Sequence, residues 1–216
     1  MKKGILLLLS VVAFALLSTT QLSKAAGGSG SGTDHGFWYS YWYLNGNYSL
    51  TFPYAGTYAG NSLETYSSSG DCLGGKGWST GFAGNANYNC TFANISCFGV
   101  YGWTHAPVIE YYISDFGGQG GTTVGTVNSD GANYTSYVTY CPNGNSIEGT
   151  MNYYQYKDMR QSQNSQNANH TINTANHINY WKAHDTHGWG SQGYHEMKLQ
   201  AECWTGASGN CGSTIW

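Results

Sequence analysis

Charge is scarce in this chain. Asp, Glu, Lys and Arg make up 9% of its 216 residues. A protein that grips nucleic acid needs a basic face, and eight Lys and Arg against eleven Asp and Glu cannot build one. Proline occurs three times. No Cys-x-x-Cys pair exists, which removes the usual cysteine frame of a structural zinc site. Long apolar runs are absent apart from Ile5–Leu17, which is too short to span a bilayer stably. No membrane partner is expected, and neither a metal nor an organic cofactor.

That run follows Lys2 and Lys3, and Ser23 and Ala25 have the spacing of a signal-peptidase site. Residues 1–25 therefore read as a secretory signal and residues 26–32 as a flexible Gly/Ser leader. Residues 33–216 suffice for one domain, expected to be extracellular and a monomer. Without Lys2, Lys3 and Lys24, five basic residues face eleven acidic ones, a net charge of −6. That balance also disfavours an acidic polysaccharide as the main target. Five Asn-x-Ser/Thr sequons, at Asn47, Asn89, Asn94, Asn133 and Asn169, are glycosylation acceptors if the host is a eukaryote.

Six cysteines lie in the exported part, an even number that implies disulfides with fifteen conceivable pairings. Cys90–Cys97 and Cys203–Cys211 are each placed to staple a hairpin, which leaves Cys72–Cys141 by elimination.

Aromatic residues are abundant, with 19 Tyr and 8 Trp. Their flat faces suit pyranose rings and their polar edges suit hydroxyls. Most of the chain reads as short strands. Trp38, Ser40 and Trp42 share one face of Phe37–Tyr43 at period two. Tyr88–Phe92 and Phe98–Trp103 read as hairpin arms. Val108–Ser114, Thr122–Val127, Tyr134–Tyr140 and Gly149–Tyr156 continue the series, with turns at Ser129-Asp-Gly131 and Pro142-Asn-Gly144. Such spacing indicates an all-β sandwich or jelly roll. One helix is expected, capped by Asn173 or Thr174, with Ala175, Ile178 and Trp181 as its apolar stripe. Two isolated acids in aromatic strands, Glu110 and Glu202, suggest acid/base work on a sugar. Glu64, Glu148 and Glu196 are the competing acids.

The run Gly36-Phe-Trp-Tyr-Ser-Tyr-Trp42 is followed in order by Gly74-Gly-Lys-Gly-Trp78, Tyr101-Gly-Trp103 and Pro107-Val-Ile-Glu-Tyr-Tyr-Ile113. Ser146-Ile-Glu-Gly149, Tyr154-Gln-Tyr156 and Thr174-Ala-Asn-His-Ile-Asn179 complete the set. In this order the segments resemble the family 11 glycoside hydrolases, small endo-β-1,4-xylanases, over roughly Thr33 to Trp216. The resemblance implies a jelly roll of two antiparallel sheets forming a cleft, with a thumb hairpin and a single helix, and xylan as partner. It puts the nucleophile on Glu110 and the acid/base on Glu202. Substrate contacts fall on Trp42, Tyr101, Tyr112, Gln155, Ser146 and Ile147, and Asp71 becomes the residue that tunes the acid/base, as in acid-active members.

Several positions depart from the family pattern. Cys141 replaces an Arg, Asn145 a Pro, Lys157 a Trp and Cys203 a Gly. Glu196 replaces a cleft Tyr unless a local shift moves Tyr194 there. Two other readings therefore stand beside the xylanase: a glycan-binding module or lectin on the same scaffold, and an endo-β-1,4-glucanase.

Overall fold

The computed structural model describes residues 22–24, 27–53, 59–67, 70–184, 187–189, 193–204 and 208–216. Among the described residues, two sheets and one helix make up the fold. The six-stranded sheet has the order β1 (Leu22–Lys24), β4 (Asn47–Thr51), β5 (Asn61–Ser67), β15 (Ser208–Ile215), β7 (Asn85–Ala93) and β13 (His170–Asn173). The nine-stranded sheet begins with β10 (Thr122–Ser129), β11 (Ala132–Ser146), β12 (Gly149–Arg160) and β9 (Ile109–Gly117). It continues through β8 (Cys97–Thr104), β14 (Tyr194–Cys203), β6 (Cys72–Trp78), β3 (Phe37–Tyr43) and β2 (Gly28–Asp34). This is the expected jelly roll, with one difference. β12 pairs parallel with β9, because the chain leaves β9, makes the β10–β11–β12 meander and re-enters beside it.

Side chains alternate between the faces of a strand, and that alternation builds both core and cleft. On β9, Ile109, Tyr111 and Ile113 point into the core, while Glu110 and Tyr112 point to the other face. Phe98 and Val100 on β8 and Met197, Leu199 and Ala201 on β14 join the core. The helix α1 (Thr174–His184) is capped by Asn173, whose Oδ1 accepts the Ala175 N–H at 3.1 Å. Ile178 and Trp181 of its expected stripe are fully buried, and His177 is buried beside them. His177 Nδ1 and Trp181 Nε1 both engage Asp158, at 2.7 and 2.9 Å.

Composition misleads at the start of the domain. The Gly/Ser segment expected to be flexible forms β2 from Gly28 onward, paired residue for residue with β3. Its glycines face tyrosines across the ladder. A Cβ at Gly30 or Gly32 would stand 2.7 Å from the hydroxyl of Tyr41 or Tyr39. Glycine here makes room for rings rather than conferring freedom. Most of the expected signal segment lies outside the described residues, and Leu22–Lys24 is an edge strand on β4.

The hairpin expected between Tyr88–Phe92 and Phe98–Trp103 is not a hairpin. β7 and β8 lie in different sheets, so the connection crosses the sandwich. β14 and β15 are divided in the same way. Cys90–Cys97 and Cys203–Cys211 were expected as hairpin staples, and neither pair belongs to one hairpin. Cys72 stands opposite Cys203 rather than Cys141. Cys72, Cys90, Cys97, Cys141 and Cys211 are free thiols. Pro142-Asn-Gly144 is likewise no turn between strands but a bulge inside β11, with Asn143 at φ 50°.

One competing acid is accounted for by the core. Glu64 is buried between the sheets and accepts the Tyr48 hydroxyl at 2.8 Å. Burial pushes its pKa up to about 8, against the opposing pull of Tyr48, the Lys198 charge and the Ala201 backbone. Its proton is retained in the folded state long after the unfolded chain has lost its own. Stability from this residue is therefore undiminished below the unfolded pKa and declines as pH rises toward 8. Glu64→Gln keeps the acceptor for Tyr48 without the charge. It is expected to leave stability unchanged at pH 4 and to raise it by about 2 kcal/mol at pH 7. Denaturant unfolding of both proteins at the two pH values tests this, and equal effects at both would contradict it.

Candidate active site

The outer face of the nine-stranded sheet carries a cavity of about 890 Å³. Every residue expected to act on or touch a sugar lines it: Glu110 and Tyr112 on β9, Glu202 on β14, Trp42 on β3, Tyr101 on β8 and Gln155 on β12, together with Asp71, Ser146 and Ile147. The convergence follows from register. Glu110 stands opposite Gln155 on one side and Trp103 on the other. Glu202 stands opposite Leu73, which brings Asp71, just before β6, diagonally beside it.

Glu110 is 5% exposed, yet its carboxylate is well supplied with donors. Gln155 Nε2 donates to Oε2 at 2.6 Å, and the hydroxyls of Tyr101 and Tyr112 donate to Oε1 at 2.8 and 2.9 Å. Tyr101 in turn accepts from Trp103 Nε1 at 2.6 Å. Burial raises the Glu110 pKa, while these three bonds and the Lys157 charge pull it back.

Glu202 is 6% exposed and has poorer company. It accepts Gln200 Nε2 at 3.1 Å and the Cys97 thiol at 3.8 Å. Burial, then the Asp71 charge, then the Glu110 charge push its pKa well up. Asp71 rises to about 6 through burial and the Glu110 charge, and its buried Oδ1 has no hydrogen-bond partner. Three carboxyls in one water-poor patch cannot all ionise. Donor count favours the anion on Glu110 and the proton on Glu202.

The thumb is the β11–β12 hairpin. Ser146 Oγ closes its tip by donating to the Gly149 carbonyl at 2.7 Å and accepting the Glu148 N–H at 3.1 Å. Glu148, the competing acid at the tip, is exposed and meets His105 Nδ1 at 2.8 Å. His105 belongs to the turn between β8 and β9, so the contact joins the thumb to the rest of the cleft wall.

The departures also find places. Lys157 lies opposite Tyr112 on the cleft face, mostly buried. Cys141 lies opposite Tyr153, which lines the cleft under the thumb. The ladder between β14 and β8 is irregular between Tyr194 and Met197. Glu196 lines the cleft, whereas Tyr194 packs against the core, so the alternative placement of Tyr194 is set aside.

Several lining residues were given no role from sequence: Trp38, Ser40, Trp103, Tyr153 and Lys198. Gln200 escaped too. It sits two residues before Glu202, the spacing that puts strand neighbours on one face, and that spacing could have found it.

Comparison with known proteins agrees with the geometry. A Penicillium digitatum protein named ethylene-inducing xylanase is 35% identical over 208 residues, 92% of either chain. Botryotinia fuckeliana ethylene-inducing xylanase 1 is 40% identical over 140 residues, 62% of this chain and 49% of that protein. Pyricularia oryzae endo-1,4-beta-xylanase 4 is 37% identical over 140 residues, 62% of this chain and 59% of that protein. In the last two pairs the matched stretch thus spans only about half of the relative's length. The model of glycosyl hydrolases family 11 matches residues 34–214. With that match across nearly the whole sandwich, and with both carboxyls on one cleft face, the chain belongs to glycosyl hydrolases family 11.

Proposed function

We propose that this protein is a secreted endo-β-1,4-xylanase that hydrolyses internal bonds of xylan with retention, acting as a monomer. One observation carries the assignment. Two carboxyls share a cleft, one held by three hydrogen-bond donors and the other raised in pKa by burial and like charge. That asymmetry is what a double displacement requires.

In this reading Glu110 attacks the anomeric carbon while Glu202 gives its proton to the leaving oxygen. The bond to the leaving sugar breaks and a glycosyl ester forms on Glu110. Glu202, now ionised, takes a proton from water, which attacks the same carbon and frees Glu110. Tyr101, Tyr112 and Gln155 hold the nucleophile during both steps. Trp42 stacks on a sugar, and Ser146 and Ile147 cover the chain from the thumb. Export is supported by the apolar run Ile5–Leu17 after two lysines.

Reducing ends released from linear xylan are the first measurement. Glu110→Gln and Glu202→Gln are each expected to lower kcat by about 10³-fold or more. Binding of xylan without product by the wild type would instead make the protein a lectin. Faster turnover of carboxymethylcellulose than of xylan would make it a glucanase. The anomeric configuration of the first product, read by proton NMR, is expected to be β. An α product would exclude the covalent ester.

Asp71 sets the pH range in this scheme. Below about 6 it is neutral, and the Glu202 proton is free to move to the leaving oxygen. Above that value its charge holds the proton on Glu202 and makes it a weaker donor. Activity is therefore expected to be best below neutral pH and to fall as pH rises through about 6. Asp71→Asn removes this titration, so the alkaline limb of the kcat/KM profile on xylan is expected to move upward by roughly one pH unit. An alkaline limb that stays put would remove Asp71 from the mechanism.

A further inference from the structure

Beyond the catalytic pair, the cleft floor holds a second polar assembly. Glu196 on β14 is 7% exposed and lines the cavity. Trp38 Nε1 donates to its Oε2 at 2.8 Å, and Ser40 Oγ donates to its Oε1 at 2.9 Å. Lys198 Nζ stands 3.6 Å from Oε1. Lys198 is itself 1% exposed and bonded to the Ser40 hydroxyl at 2.6 Å and the Ser40 carbonyl at 3.2 Å.

The lysine reaches β3 from β14 by crossing β6 over a glycine. Lys198 pairs with Gly77, which pairs with Trp38, and a Cβ at Gly77 would stand 2.9 Å from Lys198 Cβ. The assembly also adjoins the reacting centre. Tyr101, which donates to Glu110, has Lys198 Nζ 5.1 Å from its ring centroid.

We propose that Glu196 is a specificity-determining residue: it accepts a hydrogen bond from a free hydroxyl of a sugar bound close to the cleavage point, and it excludes sugars substituted at that hydroxyl. The inference rests on the reading of the cleft as a xylan site. Its logic is the one-way nature of a carboxylate. An ionised carboxylate has about four acceptor sites and no donor. Trp38 and Ser40 occupy two of these, and the nearby Lys198 charge with those two bonds keeps the group ionised, pulling its pKa down against burial. Acceptor capacity is left over on a residue that lines the cavity. A free hydroxyl donates to it, whereas an acetylated or glycosylated oxygen has no hydrogen to offer and sets acceptor against acceptor.

A glucuronate branch fares worse, because it adds like charge. Lys198 cannot compensate, for it is 1% exposed, its hydrogen bonds go to Ser40 and its charge is already set against Glu196. Discrimination here is built from a mismatch with the wrong partner as much as from attraction to the right one.

Glu196→Gln tests the idea, since the amide keeps the shape and can both accept and donate. Wild type and variant are compared on a linear xylo-oligosaccharide and on O-acetylated and glucuronate-branched xylans, with products mapped by mass spectrometry. For the wild type, one fixed unit near the new ends is expected to be bare in every product. In Glu196→Gln, kcat/KM on the linear substrate is expected to fall about tenfold, mainly through KM, and substituted sugars are expected to enter that unit.

The ratio of linear to substituted turnover, compared within one protein sample, is insensitive to the folded fraction. Binding of the linear oligosaccharide by Glu110→Gln and by Glu110→Gln/Glu196→Gln is compared in parallel. An unchanged product pattern and substrate ratio, with wild type active on linear xylan, would overturn the role of Glu196 alone. A wild type that cleaves no linear xylan would instead overturn the reading on which it rests.

Discussion

Taking charge out of water is the constraint around which the cleft is organised. Glu110, Glu202, Asp71 and Glu196 line a sheet whose other face is hydrocarbon, and burial opposes the ionisation of each. What differs is the compensation. Glu110 has three neutral donors, Glu196 has an indole, a hydroxyl and an ammonium, and Glu202 has an amide and a distant thiol. Neighbours rather than the carboxyl group itself thus decide which acid holds a proton. Tyrosine serves well here, because it adds a donor without adding charge.

Cations in the cleft follow the same logic. Lys157 and Lys198 are both mostly buried, and both are oriented toward acids rather than solvent. Replacing an aromatic residue by lysine at position 157 puts a positive charge on the cleft face next to Tyr112, close enough to favour the Glu110 anion. In a chain with so few charges, six of them concentrated around one cavity are a statement about that cavity.

Much of this arrangement was readable from the chain. Period-two alternation in Phe37–Tyr43 and around Glu110 gave both the strands and the face that each side chain would take, because a strand leaves no other choice. The cleft residues Glu110, Tyr101, Tyr112, Gln155 and Trp42 were found by their place in matching segments, and Glu202 as an isolated acid in an aromatic strand. What escaped depended on pairing between distant strands. Nothing local in Asn94–Ser96 says that the chain changes sheet there, so the cysteine pairings inferred from short spacing had no footing. The Gly/Ser run read as slack because composition carries no trace of the tyrosines that fill its gaps. Lys198 lay hidden for a similar reason. Its partner Ser40 is 158 residues away in sequence.

The contact between His105 and Glu148 has a topological meaning. It joins the tip of the thumb to the turn between β8 and β9, so the hairpin is tethered at its far end as well as at its root in the sheet. The two side chains are nearly half exposed, and even with the imidazole charged a contact in that setting is worth at most about 1 kcal/mol. A tether so weak leaves the thumb able to swing on its root while the sheet beneath stays intact.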